Sequence, residues 1–164
     1  MMDQTKHILF VVRTANLGAR APSRRLLRAG FDRPPMVTTA LVRIRRHHRR
    51  IARGSFTKAL QEGKVLAYER DYGGYHGFLK SDLQECLDLS TNGVLMIGSP
   101  NLASQIKRNR PETLVAVLQS SGADLSHYLR DLKDLDHHII EIDSLALGES
   151  KRVYDELKSL LSLR

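Results

Sequence analysis

Apolar residues follow two rhythms along this chain, and their alternation predicts its architecture. Short uninterrupted runs read as strands buried on both faces of a sheet. Such runs are Ile8-Leu9-Phe10-Val11-Val12, Gly93-Val94-Leu95-Met96-Ile97 and the stretch 113–118, and residues 138–142 read as the last strand. Residues 36–42 read as a further strand of the same sheet, after a turn at Pro34-Pro35. Helical spacing fills the intervals at 81–89, 102–108 and 149–163, and at 124–134 through Leu125, Leu129 and Leu132. Ala21-Pro22-Ser23 opens another helix, with Pro22 in its first turn. A short helix at 56–62 is stopped by Gly63, with Ser55 as its cap. This order predicts an α/β fold: a mainly parallel central sheet with helices on both faces, and ligands at the carboxyl ends of the strands. Residues 40–80 read as an irregular insertion, with a strand at 65–69 and a glycine-rich loop at 71–77.

Composition narrows the class. A chain of 164 residues, 41% apolar, fits one domain spanning 1–164. No apolar run approaches the ~20 residues of a membrane span, and residues 8–12 are too short for a signal-peptide core. A cytoplasmic protein without a membrane partner is expected. The single cysteine, Cys86, excludes an intramolecular disulfide framework and a multi-cysteine zinc site. Charge is uneven. Residues 13–53 hold twelve arginines, no lysine and one acid, Asp32, so they carry +11 while the whole chain carries +8. An arginine-only cluster suits a phosphate or polyanion partner, because guanidinium binds phosphate as a fork. A solvated basic face accounts for the same pattern equally well.

The polar loop after the first strand is Arg13-Thr14-Ala15-Asn16-Leu17-Gly18-Ala19-Arg20. This is the address of a phosphate-binding loop, which needs Gly-x-x-x-x-Gly-Lys-Ser/Thr. Only Gly18 fits. Arg13 holds the first glycine position, Ala19 the lysine position and Arg20 the hydroxyl position. The loop is degenerate.

Three further segments carry a family resemblance. They are Ser55-Phe56-Thr57-Lys58-Ala59-Leu60-Gln61-Glu62-Gly63, Gly74-Tyr75-His76-Gly77, and Val94-Leu95-Met96-Ile97-Gly98-Ser99. In order and spacing the chain resembles the guanylate kinase superfamily, a P-loop-kinase-like fold, with its nearest likeness to the ribose 1,5-bisphosphate phosphokinase branch. The resemblance implies one guanylate-kinase-like domain whose 40–80 insertion corresponds to the acceptor site. It makes Tyr75 the match for a phosphate-contacting tyrosine. The family's Thr-Thr-Arg-x-x-Arg becomes Thr38-Thr39-Ala40-Leu41-Val42-Arg43, which retains Thr39 and the second arginine. The position of a guanine-reading glutamate holds Ala67. Between Gln119 and His138 there is room for one helix rather than an arginine-rich lid, with Arg130 as the one lid-arginine candidate.

The candidate site residues follow. Thr39, Arg43, Tyr75, His76 and Ser99 are the phosphate and acceptor candidates. Ser99-Pro100 also reads, and more simply, as a helix cap, and His76 as a turn residue. If residues 43–53 are helical, Arg46, Arg49, Arg50 and Arg53 share a face. With Arg45 they form a candidate polyanion patch, though no aromatic interleaves for base stacking. The adjacent pairs His47-His48 and His137-His138 cannot each chelate a metal, since adjacent side chains diverge. No metal site and no catalytic set are assigned. The expected function is a catalytically degenerate guanylate-kinase-like protein, a pseudokinase. It would need no cofactor and would bind an anionic partner: a phosphorylated small molecule or protein, or nucleic acid. The alternative is a divergent kinase, using ATP and Mg²⁺ on a sugar phosphate or nucleotide. A homo-oligomer is compatible with either.

Overall fold

The run at residues 8–12 is buried on both sides because β1 (His7–Arg13) lies at the centre of a parallel sheet. The computed structural model describes residues 5–14, 20–41, 46–71, 73–120, 122, 124–143 and 148–162. β1 pairs in parallel with β7 (Gly93–Gly98) and with β8 (Leu114–Ser120). β2 (Phe31–Asp32) adds to β7 and β9 (His138–Ile142) to β8, giving the order β2-β7-β1-β8-β9. Alternation along each strand separates two cores. Ile8, Phe10 and Val12 face one side with Met96 and Val117, whereas Leu9 and Val11 face the other with Leu95 and Ala116.

Helices cover both faces, as a parallel sheet requires. Leu26 of α1 (Arg20–Arg28) and Val153, Leu157 and Leu161 of α5 (Glu149–Ser162) close one core. Leu83 and Cys86 of α3 (Lys80–Leu89) close the other, with Leu102, Ala103 and Ile106 of α4 (Pro100–Asn109). Ser99 caps α4, its Oγ accepting the Leu102 N–H at 3.2 Å, and Pro100 opens the helix.

The strand expected at 36–42 is shorter and belongs elsewhere. β3 (Met36–Thr38) lies in a second sheet, between β4 (His48–Arg50) and β6 (Gly74–Leu79), with β5 (Val65–Asp71) beyond β6. The described part of the segment read as an irregular insertion with a glycine-rich loop therefore forms strands and a helix. β5 and β6 form an antiparallel hairpin that pairs Arg70 with Tyr75 and Tyr68 with Gly77. Gly77 is required by close approach, since a Cβ there would sit 2.2 Å from the Ala67 carbonyl oxygen. Phe78 carries this sheet into the central core, meeting Phe10 edge to face at 6.3 Å.

Three local expectations are corrected. α2 (Arg53–Gln61) starts at Arg53 with Ala52 as N-cap, so Ser55 lies inside the helix. Residues 48–50 are a strand, so Arg49 and Arg50 point to opposite sides rather than along one helical face. Residues 124–134 form turns and a single 3₁₀ turn, Arg130–Leu132, although Leu129 and Leu132 are buried.

Candidate functional site

The second sheet assembles an aromatic cluster ringed by arginines. Phe56 is fully buried on α2 and stacks on Tyr75 of β6, centroids 4.9 Å apart and planes 20° from parallel. Tyr68 of β5 meets Phe56 edge-on at 6.0 Å and Tyr75 at 6.1 Å. Two guanidiniums approach the Tyr75 ring: Arg53 at 5.8 Å and Arg70 at 5.6 Å from its centre. Such contacts favour the cations electrostatically and hold them in place. Neither forms an ion pair among the described residues. The result is concentrated, oriented positive charge beside a tyrosine.

Hydrogen bonds fix the strands beneath it. The Tyr75 N–H donates to Thr39 Oγ1 at 2.9 Å, and the Thr39 N–H donates to the Tyr75 carbonyl at 3.0 Å. His76 bridges Asp71 Oδ2, 2.9 Å from its Nε2, and Thr38 Oγ1, 2.9 Å from its Nδ1. Thr38 Oγ1 also accepts the Ala40 N–H at 3.1 Å. The consistent proton arrangement has Thr38 donating to Nδ1 and Nε2–H donating to Asp71. Although this line joins hydroxyl, imidazole and carboxylate, Thr38 is only 3% exposed and cannot meet a substrate. It is a brace. Desolvation, the largest single influence, works to raise the Asp71 pKa. The Gly73 N–H, His76 and the Gly74 N–H outweigh it and hold the carboxyl below its ordinary value.

Next to the cluster, a cavity of about 460 Å³ is lined by Tyr68, Glu69, Arg70, Asp71, Asn101 and Gln105. Ser99, besides capping α4, donates its hydroxyl to Glu69 Oε1, so it joins the end of β7 to β5. The structure thus brings Arg53 onto the Tyr75 ring and Thr39 onto the Tyr75 backbone, while His76, next along β6, turns to Thr38 and Asp71, and Ser99 reaches the cavity through Glu69. It separates the other arginines. Arg49 forms a fork on buried Asp82 of α3, at 2.8 and 3.2 Å. Arg50 Nε donates to the Ala40 carbonyl at 3.2 Å. Arg46 lies exposed in the turn before β4. Arg13 ends β1 and Arg20 begins α1, their side chains outside the described set, while Gly18, Arg43 and Arg45 lie outside the described residues.

Arg70 went unassigned from the sequence, as did Asp71. The signal for both is the hairpin itself: a turn at Gly73 places Arg70 directly across from Tyr75.

Among the described residues, no three His, Cys, Asp or Glu side chains are placed to hold a metal ion. No helix among them is long and apolar enough to cross a membrane. Neither a protein-family model nor a curated protein matches the sequence. Among solved structures, the guanylate kinase of Anaplasma phagocytophilum is similar, with a TM-score of 0.68. The match covers 98% of this chain and 86% of that one, at 14% sequence identity. This chain has a guanylate-kinase-like fold. In this guanylate-kinase-like fold the central sheet holds β1 at its middle, and the second sheet carries the Tyr75 cluster.

Proposed function

We propose that this protein binds a phosphorylated ligand at the Tyr75 cluster and does not transfer phosphate. The observation that carries the reading is the pair of guanidiniums, Arg53 and Arg70, held on Tyr75 without a carboxylate partner among the described residues. A phosphate monoester offers the dianion that two arginine forks and a neighbouring tyrosine hydroxyl can hold. The guanylate-kinase-like fold supports a phosphate-binding role for this sheet. The retained pieces are Thr39, Tyr75 and, by sequence, Arg43.

Against transfer stands the loop after β1. Phosphoryl transfer depends on positioning and electrostatic stabilisation of the moving group. A loop with Ala19 where lysine is needed and Arg20 where the magnesium-binding hydroxyl is needed provides neither. The protein therefore works without ATP or Mg²⁺, as a binding module on a kinase scaffold.

Isothermal titration tests this directly. Ribose 5-phosphate or a nucleoside monophosphate should bind one to one, and Arg70→Ala and Tyr75→Leu should each lose that binding by tenfold or more. ATP with Mg²⁺ should give no turnover with either ligand. Magnesium-dependent product formation, abolished by changing Arg13 or Arg20, would overturn the proposal in favour of a divergent kinase.

A further inference from the structure

Helix α1 is stabilised from one side only. It buries Ser23 and Leu26 and packs toward α5, while its described exposed residues, Arg24, Arg25 and Arg28, are all arginine. With about 100° per residue, Arg24 and Arg28 lie only about 40° apart. They repel, as like charges four residues apart do. The adjacent helix could supply relief, since α5 carries Glu149, Asp155 and Glu156. Each of these is already taken within α5. Asp155 pairs with Lys151 at 2.8 Å, and Glu149 and Glu156 both pair with Arg152. Among the described residues no carboxylate pairs with Arg24, Arg25 or Arg28. The helix macrodipole accounts for cations in the last turn, where Arg25 and Arg28 stand. It does not account for Arg24.

We propose that this face of α1 docks the phosphate backbone of a nucleic acid. The surface is separate from the Tyr75 cluster and uses none of its residues. Guanidinium forks match phosphate oxygens, and a repeating polyanion can meet three of them at once. The exposed residues include no aromatic or large apolar side chain to anchor a protein partner or to enter a bilayer. The absence of base-stacking groups makes the contact one of backbone charge rather than sequence.

The test is fluorescence anisotropy of a short labelled DNA duplex titrated with the full chain over a series of salt concentrations. Each neutralised phosphate contributes about −0.9 to the log–log salt slope. The triple variant Arg24→Gln, Arg25→Gln, Arg28→Gln should therefore flatten the slope by about 2–3 and weaken low-salt binding at least tenfold. Circular dichroism checks that it folds. If it does not, Arg24→Gln alone decides, with an expected flattening of about 0.9. Arg70→Ala, which removes the proposed monoester site, should leave duplex binding and slope unchanged, so the two readings fail separately. The inference is overturned if the wild-type chain does not bind the duplex or if the arginine variant keeps the full slope. It is equally overturned if polyglutamate or phosphatidylserine vesicles bind as tightly as the duplex and lose binding in the same variant.

Discussion

Gln105 of α4 satisfies both outward-facing backbone groups of Tyr68: the Tyr68 N–H donates to Oε1 at 3.0 Å, and Nε2 donates to the Tyr68 carbonyl at 2.8 Å. One helical turn on, Asn109 Nδ2 donates to the Leu66 carbonyl at 2.8 Å. β5 is the edge of the second sheet, and an edge presents unpaired backbone groups. Side-chain amides at i and i+4 of α4 stand in for the missing strand. Helix rise over four residues, about 6 Å, nearly matches strand rise over two. The second sheet is thereby fastened to the first beside the Tyr75 cluster.

Gln105→Leu should remove both bonds and lower stability by about 1–2 kcal/mol, because these partly exposed backbone groups can recruit water. Hydrogen exchange should accelerate at the Tyr68 amide while β1 amides stay protected. Unchanged protection at Tyr68 would show that the amide ladder does not fasten the edge.

Arg49 links β4 to α3 through Asp82, whose side chain is 8% exposed against 47% for Arg49. Removing the arginine strands a buried carboxylate. Arg49→Met should cost about 1–3 kcal/mol by chemical denaturation, since an unsatisfied buried acceptor bears its full desolvation penalty. The double variant with Asp82→Asn should recover part of that loss. Simple additivity of the two changes would contradict coupling between them.

The central sheet was legible in the sequence because β1, β7 and β8 are buried on both faces and write themselves as apolar runs, while the edge strand β9 alternates, burying Ile140 and Ile142 and exposing Ile139 and Glu141. The second sheet was legible only in part, through the strand read at 65–69. Its strands are half exposed, β3 and β4 are three residues each, β6 lies where a glycine-rich loop was read, and β4 reads His48-Arg49-Arg50, with no apolar residue at all. Arg49 belongs to a strand only because β3 lies alongside and Asp82 receives its charge. The same tertiary context overrode the leucine spacing at 124–134, where burial of Leu129 and Leu132 is achieved by turns. At the site, Tyr75 and His76 were visible as a motif. Arg70 was hidden, since its pairing with Tyr75 follows from hairpin register rather than from sequence proximity.

His47 lies among positive charges. Its pKa is lowered below 6.5, first by burial and then by Arg33, Arg46 and His48. A histidine depressed in the folded state adds stability above its unfolded pKa and loses it as pH falls through the folded one. Stability should therefore decline as pH drops below about 6.5. Arg46→Gln should raise the His47 pKa in an NMR titration and soften that decline. A titration unmoved by the substitution would remove Arg46 from the causes of the shift and leave it to burial, Arg33 and His48.

Cys86 packs in the central core between Leu83 and Leu87, with Asp32 of β2 nearby. Burial, and then the Asp32 carboxylate, push its thiol from 9.0 up to about 12. The thiolate is the reactive species, so the native protein should resist iodoacetamide at pH 8, and unfolding in urea should expose one reactive thiol. The same shift has a thermodynamic sign. Between pH 9 and 12 the unfolded chain releases this proton while the native chain keeps it. The contribution is intact below pH 9 and is lost as pH rises toward the folded pKa, at a limit of about 1.4 kcal/mol per pH unit. Cys86→Ala removes the titration. Its stability should fall less steeply than wild type from pH 9 to 10, even though the lost sulfur lowers stability at neutral pH. Parallel slopes for the two proteins, or rapid alkylation of the native chain, would show that Cys86 ionises in the folded state as it does in the unfolded one.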